Sequence, residues 1–71
     1  MKAELVDQAA LVIPHPPILI NLVSKRVKQL AAGRPALVDR RPGMRDADIA
    51  LTEIIEGKIK PGFAPQDESE D

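Results

Sequence analysis

Proline and glycine cut this chain into three stretches, and that punctuation constrains its fold more than any other feature. Pro14 closes the first stretch, Gly33 the second and Gly57 the third, with Pro35, Pro42 and Gly43 in the connector between the last two. A residue ahead of proline avoids the α region, and glycine is the usual residue just past a helix end. Each stretch carries apolar residues at helical spacing. In residues 3–13, Leu5, Ala9, Val12 and Ile13 fall at i, i+4, i+7 and i+8. A second helix should start near Pro17, which suits a first turn, and run to about Ala32. Leu19, Leu22, Val23, Val27 and Leu30 share one of its faces; Asn21, Ser24, Lys25, Lys28 and Gln29 share the other. In the third stretch Asp46 is placed to cap the helix start, and Asp48 suits the positive end of its dipole. Ala47, Ala50, Leu51, Ile54 and Ile55 form its apolar stripe, opposite Glu53 and Glu56, which read as a solvated face. Gly57, Lys58, Lys60 and Pro61 are stop signals.

The segments between are not helical by the same reasoning. Pro14-His15-Pro16-Pro17 reads as a stiff, extended connector. Leu37-Val38 is too short for an independent strand and is expected to pin the loop of residues 34–45 to a core. From residue 61 onward the chain turns acidic and nearly free of apolar residues, so it is expected to stay disordered. The sequence therefore predicts an all-α fold. It is a small three-helix domain over residues 1–60 with extended proline-rich connectors, followed by a disordered acidic C-terminal tail over 61–71.

Such a domain is poorly equipped to stand alone. A chain of 71 residues buries only about 60% of the surface that its unfolded form exposes. Small domains commonly compensate with disulfides, a metal or oligomerisation. Here there is no cysteine, and His15 is the sole histidine, which excludes disulfides and the common zinc sites. Phe63 is the sole aromatic, so the rings that give small cores much of their buried area are missing. Completing the core on a partner is the simpler account. The most apolar run, residues 9–23, is broken by Pro14, His15, Pro16, Pro17 and Asn21, and is too short to span a bilayer. The start, Met1-Lys2-Ala3-Glu4, lacks the features of a signal peptide, so a cytoplasmic location is expected.

Charge is segregated although the net charge is only −1. Residues 21–45 hold Lys25, Arg26, Lys28, Arg34, Arg40, Arg41 and Arg45 against the single acid Asp39, whereas residues 46–71 are strongly acidic. Such asymmetry marks an interaction surface, or simply two solvated faces of one fold. Arg26 is the exception on its helix, at the edge of the apolar arc between Leu22 and Leu30. It either packs its stem and sends its head to water, or it pairs with a carboxylate of this chain or of a partner.

Catalytic chemistry is hard to assemble from these residues. Ser24, Thr52 and Ser69 are the only hydroxyls, His15 is held between prolines as a loop residue, and no cofactor motif is present. Nucleic-acid binding through Lys25-Arg26-x-Lys28 and Arg40-Arg41 lacks aromatic stacking and meets an acidic C-terminal third. No cofactor, no membrane contact and no direct sequence-specific nucleic-acid contact are expected.

Two segments, in order, resemble a known family. Leu22-Val23-Ser24-Lys25-Arg26-Val27-Lys28-Gln29-Leu30, then Ala31-Ala32-Gly33 and Leu37-Val38, is similar to a family run of small apolar residues, Lys/Arg-Arg-Ala-Arg-Gln-Leu, a glycine and Pro-Leu-Val. Residues 49–59, Ile-Ala-Leu-Thr-Glu-Ile-Ile-Glu-Gly-Lys-Ile, resemble the same family's Ala-Leu-x-Glu-Ile-x-x-Gly-Lys-Ile helix. That family is the omega subunit of bacterial DNA-directed RNA polymerase. The resemblance covers about residues 18–60. It implies a non-catalytic accessory subunit of a nucleotidyltransferase complex, which clasps the beta-prime subunit and favours core assembly in transcription. It also implies partner-binding roles for Leu22, Lys25, Arg26, Lys28, Gln29, Leu30, Ala50, Leu51, Glu53, Ile54 and Gly57, with Arg26 and Glu53 among the polar contacts that orient the helices or the partner. The chain departs from the family pattern at His15-Pro16-Pro17, where a polar-Arg-aromatic element is common, and at Asn21. Its Met1-Lys2-Ala3-Glu4 start differs from the family's Ala-Arg-Val, so a guanosine tetraphosphate site is not predicted. The rival reading is a small helical regulatory or DNA-binding module, antitoxin-like, acting outside polymerase. A third is a stand-alone helical domain that self-associates.

Overall fold

A computed structural model describes residues 3–61 of the chain. It contains helix α1 (Ala3–Val12), helix α2 (Pro16–Ala31) and helix α3 (Asp46–Ile55), and no strand among the described residues. The all-α, three-helix expectation holds. The acidic tail lies outside the described residues.

The helix starts differ from the sequence expectation in instructive ways. The connector after α1 is only residues 13–15, because Pro16 and Pro17 belong to the first turn of α2. A helix leaves its first N–H groups unbonded in any case, so two residues without a usable N–H cost nothing there. His15 is the extended residue that precedes them, at φ −128° and ψ 97°, and it is exposed. Between α1 and α2 the chain bends by 116°. Helix α3 is preceded by Arg45, not by Asp46, which is already helical. Asp46 instead accepts a hydrogen bond from Arg40 Nη2 at 2.9 Å. Asp48 does the capping: its carboxylate accepts the Arg45 backbone N–H at 3.1 Å.

The helix ends follow the sequence closely. Gly33 donates its N–H to Leu30 O at 3.1 Å and Arg34 donates to Gln29 O at 3.0 Å. After α3, Gly57 donates to Ile54 O at 3.0 Å and Lys58 to Glu53 O at 2.8 Å. Both are the paired closure that satisfies the last carbonyls of a helix, and it requires a left-handed residue. Gly33 and Gly57 supply it, at φ +104° and +74°. A Cβ added at Gly57 would meet no atom within 4 Å, so the penalty of Gly57→Ala is torsional alone. We expect that variant to lose about 1 kcal/mol of stability in thermal unfolding followed by circular dichroism.

Helix α3 lies in the middle of the fold, packed on α1 and on α2, which barely touch each other. The shared core takes Ala9 and Ile13 from the α1 side, Leu19, Leu22 and Val23 from α2, and Ala50, Leu51 and Ile54 from α3. Ile59, beyond the α3 turn, folds back into the same cluster. Each such leucine, isoleucine or valine is worth roughly 1.5–3 kcal/mol when fully buried. Val12, expected in the stripe of α1, is half-exposed; the rows Leu5–Ala9–Ile13 and Val6–Ala10 face the core instead. Among the described residues no single helix is long and apolar enough to cross a membrane.

Candidate partner interface

Arg26 does not reach water. It is 2% exposed, and its Nε and Nη2 donate to Glu53 Oε1 and Oε2 at 2.6 and 2.9 Å. This two-pronged fit of a planar guanidinium on a carboxylate is one that lysine cannot make. It joins α2 to α3 across 27 residues of sequence. Nη1 donates to Gln29 Oε1 at 2.9 Å, one helical turn along, and Nη2 also donates to Pro35 O at 3.1 Å. Glu53, wholly buried, accepts the Leu37 backbone N–H through Oε2 at 2.8 Å. Three segments therefore meet at one ion pair: α2, the connector and α3.

This settles the Arg26 alternatives in favour of an intrachain pair and corrects two residue assignments. Glu53 is not on a solvated face, although Glu56 is exposed as expected. Gln29 is not on the polar side of α2 but is buried against Arg26. The signal for Glu53 was Ile49, four residues earlier on the same row, which is itself wholly buried. The connector is also held differently from the sequence expectation. Leu37 leaves 44% of its surface exposed, so its backbone N–H, not its side chain, ties the loop down.

Of the residues carried over by resemblance, Leu22, Arg26, Gln29, Leu30, Ala50, Leu51, Glu53 and Ile54 are buried within the chain. Lys25, Lys28 and Gly57 are exposed. Other surface is open as well. Leu11, Val12, Ile18 and Ile20 make an exposed apolar set around the α1–α2 bend. A groove of about 660 Å³ opens between α1, the connector and α3, bordered by Leu5, Leu37, Met44 and Thr52.

The family model for RNA polymerase Rpb6 matches residues 18–61, more than half of the chain. The chain belongs to the RNA polymerase Rpb6 family. The matched segment starts on α2 and ends just after the α3 turn, so it is the unit that Arg26 and Glu53 close. Within this family the chain is similar to proteins named DNA-directed RNA polymerase subunit omega. One from Sulfurovum is 49% identical over 43 residues, 59% of this chain and 63% of that protein. One from Geobacter metallireducens is 40% identical over 42 residues, 59% of this chain and 61% of that protein. One from Helicobacter pylori is 54% identical over 43 residues, 59% of this chain and 58% of that protein. The match thus spans less than two thirds of the length of these relatives. No solved structure matches the chain significantly.

Proposed function

We propose that this chain is an omega-like, non-catalytic subunit of bacterial RNA polymerase. It clasps the beta-prime subunit within a core of two alpha, beta, beta-prime and omega subunits, and it acts where that polymerase does, in the cytoplasm around the nucleoid. The observation that carries this reading is the coincidence of the family match with the α2–connector–α3 unit. A clasp must hold its own shape before it can restrict another chain, and the ion pair supplies that shape. Ordering a partner's backbone costs about 1–2 kcal/mol for each residue fixed, so a clasp that meets this cost with its own contacts lowers what later assembly steps must overcome.

The residues divide by task. Leu22, Leu30, Ala50, Leu51 and Ile54, with Arg26, Gln29 and Glu53, set the shape of the clasp, and Gly57 turns the chain out of α3. Lys25 and Lys28 meet the partner directly. Arg26 faces Glu53, which removes the central residue from the Lys25-Arg26-x-Lys28 cluster and weakens the nucleic-acid alternative.

Reconstitution of the polymerase core with and without this chain is the direct test. The chain should co-purify with beta and beta-prime and raise the yield of assembled core. A chain that ignores polymerase but binds DNA with a steep salt dependence would replace this reading with the regulatory one. Removing residues 66–71 should leave assembly at saturating subunit intact, and a large loss of assembled enzyme would show that the tail is indispensable.

A further inference from the structure

Outside the core, a shallow groove runs along the outer side of α2. Ile18, Asn21, Lys25 and Lys28 border it, and so does Pro61, from the other end of the described chain. Ile18 is 43% exposed there. Among the described residues neither Lys25 nor Lys28 meets a carboxylate. Pro61 is where the chain continues as Gly62-Phe63-Ala64-Pro65-Gln66-Asp67-Glu68-Ser69-Glu70-Asp71. That run holds the sole aromatic side chain and four acids, with no base.

We propose that residues 62–71 dock back into this groove, with Phe63 against Ile18 and the acidic run over Lys25 and Lys28. Three observations converge on this occupant. The first is position: Pro61 already borders the groove, so the segment starts at its edge. The second is reach: Asp67 lies six residues beyond Pro61, about 20 Å of extended chain, and two lysines three apart on a helix are about 5–6 Å from each other. The third is charge: the segment's four acids complement two lysines that meet no carboxylate among the described residues. Tethering places the segment at an effective concentration on the order of millimolar. Each exposed ion pair shifts the equilibrium by no more than about fivefold, so docking is a modest, salt-sensitive equilibrium and not a lock.

The consequence rests on the polymerase reading. Lys25 and Lys28 are the exposed bases that this reading assigns to the partner, so the tail competes with the partner for them. The family match ends at residue 61, which makes the competitor a feature of this chain and not of the shared segment.

The test compares the full chain with a full-length variant carrying Asp67→Asn, Glu68→Gln, Glu70→Gln and Asp71→Asn. In proton–nitrogen correlation spectra at low salt, the amides of Asn21, Lys25 and Lys28 should differ between the two forms while Ala50 does not. The difference should be independent of protein concentration and should vanish at about 0.5 M salt, where exposed charges are screened. The neutralised form should bind polymerase core lacking this subunit about threefold to tenfold more tightly at low salt, the effect of one or two exposed pairs. Identical spectra overturn the docking, and shifts that grow with concentration assign the tail to a second copy, which also overturns it. Shifted spectra with equal polymerase affinity overturn the competition. Shifted spectra with no polymerase binding by either form overturn the polymerase reading while the docking stands.

Discussion

Glu53→Ala should unfold the free chain at 25 °C or leave it only a small margin of stability. The substitution strands the Arg26 guanidinium, 2% exposed, without its counter-ion, and removes the acceptor of the Leu37 N–H. Breaking one side of a buried pair costs about 3–5 kcal/mol. A domain of this length has roughly 4–10 kcal/mol in total, at about 0.05–0.15 kcal/mol per residue. Urea denaturation followed by far-ultraviolet circular dichroism measures the loss. A change below about 1 kcal/mol would mean that Arg26 finds water after all. Arg26→Lys is the gentler probe. It keeps the charge but cannot engage both carboxylate oxygens, Gln29 and Pro35 O together, so polymerase docking should weaken. Unchanged docking would show that the two-pronged geometry is immaterial.

Leu51→Asp should abolish cooperative folding and, with it, docking. Leu51 is 1% exposed in the shared core on the central helix. The substitution forfeits the burial of a leucine, about 1.5–3 kcal/mol, and places a carboxylate where nothing compensates its lost hydration. Leu11→Asp is the control. Leu11 is 83% exposed, so the same chemistry there should move stability by no more than about 0.5 kcal/mol. If Leu51→Asp retained a sharp transition close to that of the parent, the placement of Leu51 in the core would be wrong. Docking that failed for Leu11→Asp in a fully folded chain would instead mark the α1–α2 bend as contact surface.

Helix existence and helix ends were legible because they depend on local chemistry. Gly33 and Gly57 announce left-handed closures, and Pro14 forbids continuation of α1. The faces were less legible. A one-sided stripe describes a helix with a single neighbour, and α1 and α2 are close to that case. Helix α3 has α1 on one side and α2 with its connector on the other, so Asp48, Ile49, Ala50, Leu51, Glu53 and Ile54 are all buried around most of its circumference. A two-faced reading of that helix must assign Glu53 to solvent, because the positive charge that admits it to the interior is 27 residues away. Gln29 was misplaced for a related reason: its partner Arg26 is only three residues away, but Arg26 is itself buried only because of that distant carboxylate. The family resemblance placed Arg26 and Glu53 among the polar contacts that orient the helices or the partner without pairing them, and the residues alone left the partner of Arg26 open. Position 59 shows another limit: Ile59 follows a helix stop, and only the direction of the turn at Gly57 brings it back to the core.

The pair also bears on how such a sequence can drift. Neither Arg26 nor Glu53 can change first. Any path that replaces them with a matched apolar pair passes through a single substitution that leaves one ion buried alone, at a cost that is a large part of the chain's stability. Because Pro35 O and the Leu37 N–H hang on the same two side chains, the connector inherits that immobility through its backbone, while side chains such as Leu37 and Asp39 are exposed. Lineages should therefore diverge in the surface of residues 34–45 while the path of its backbone past the ion pair stays fixed.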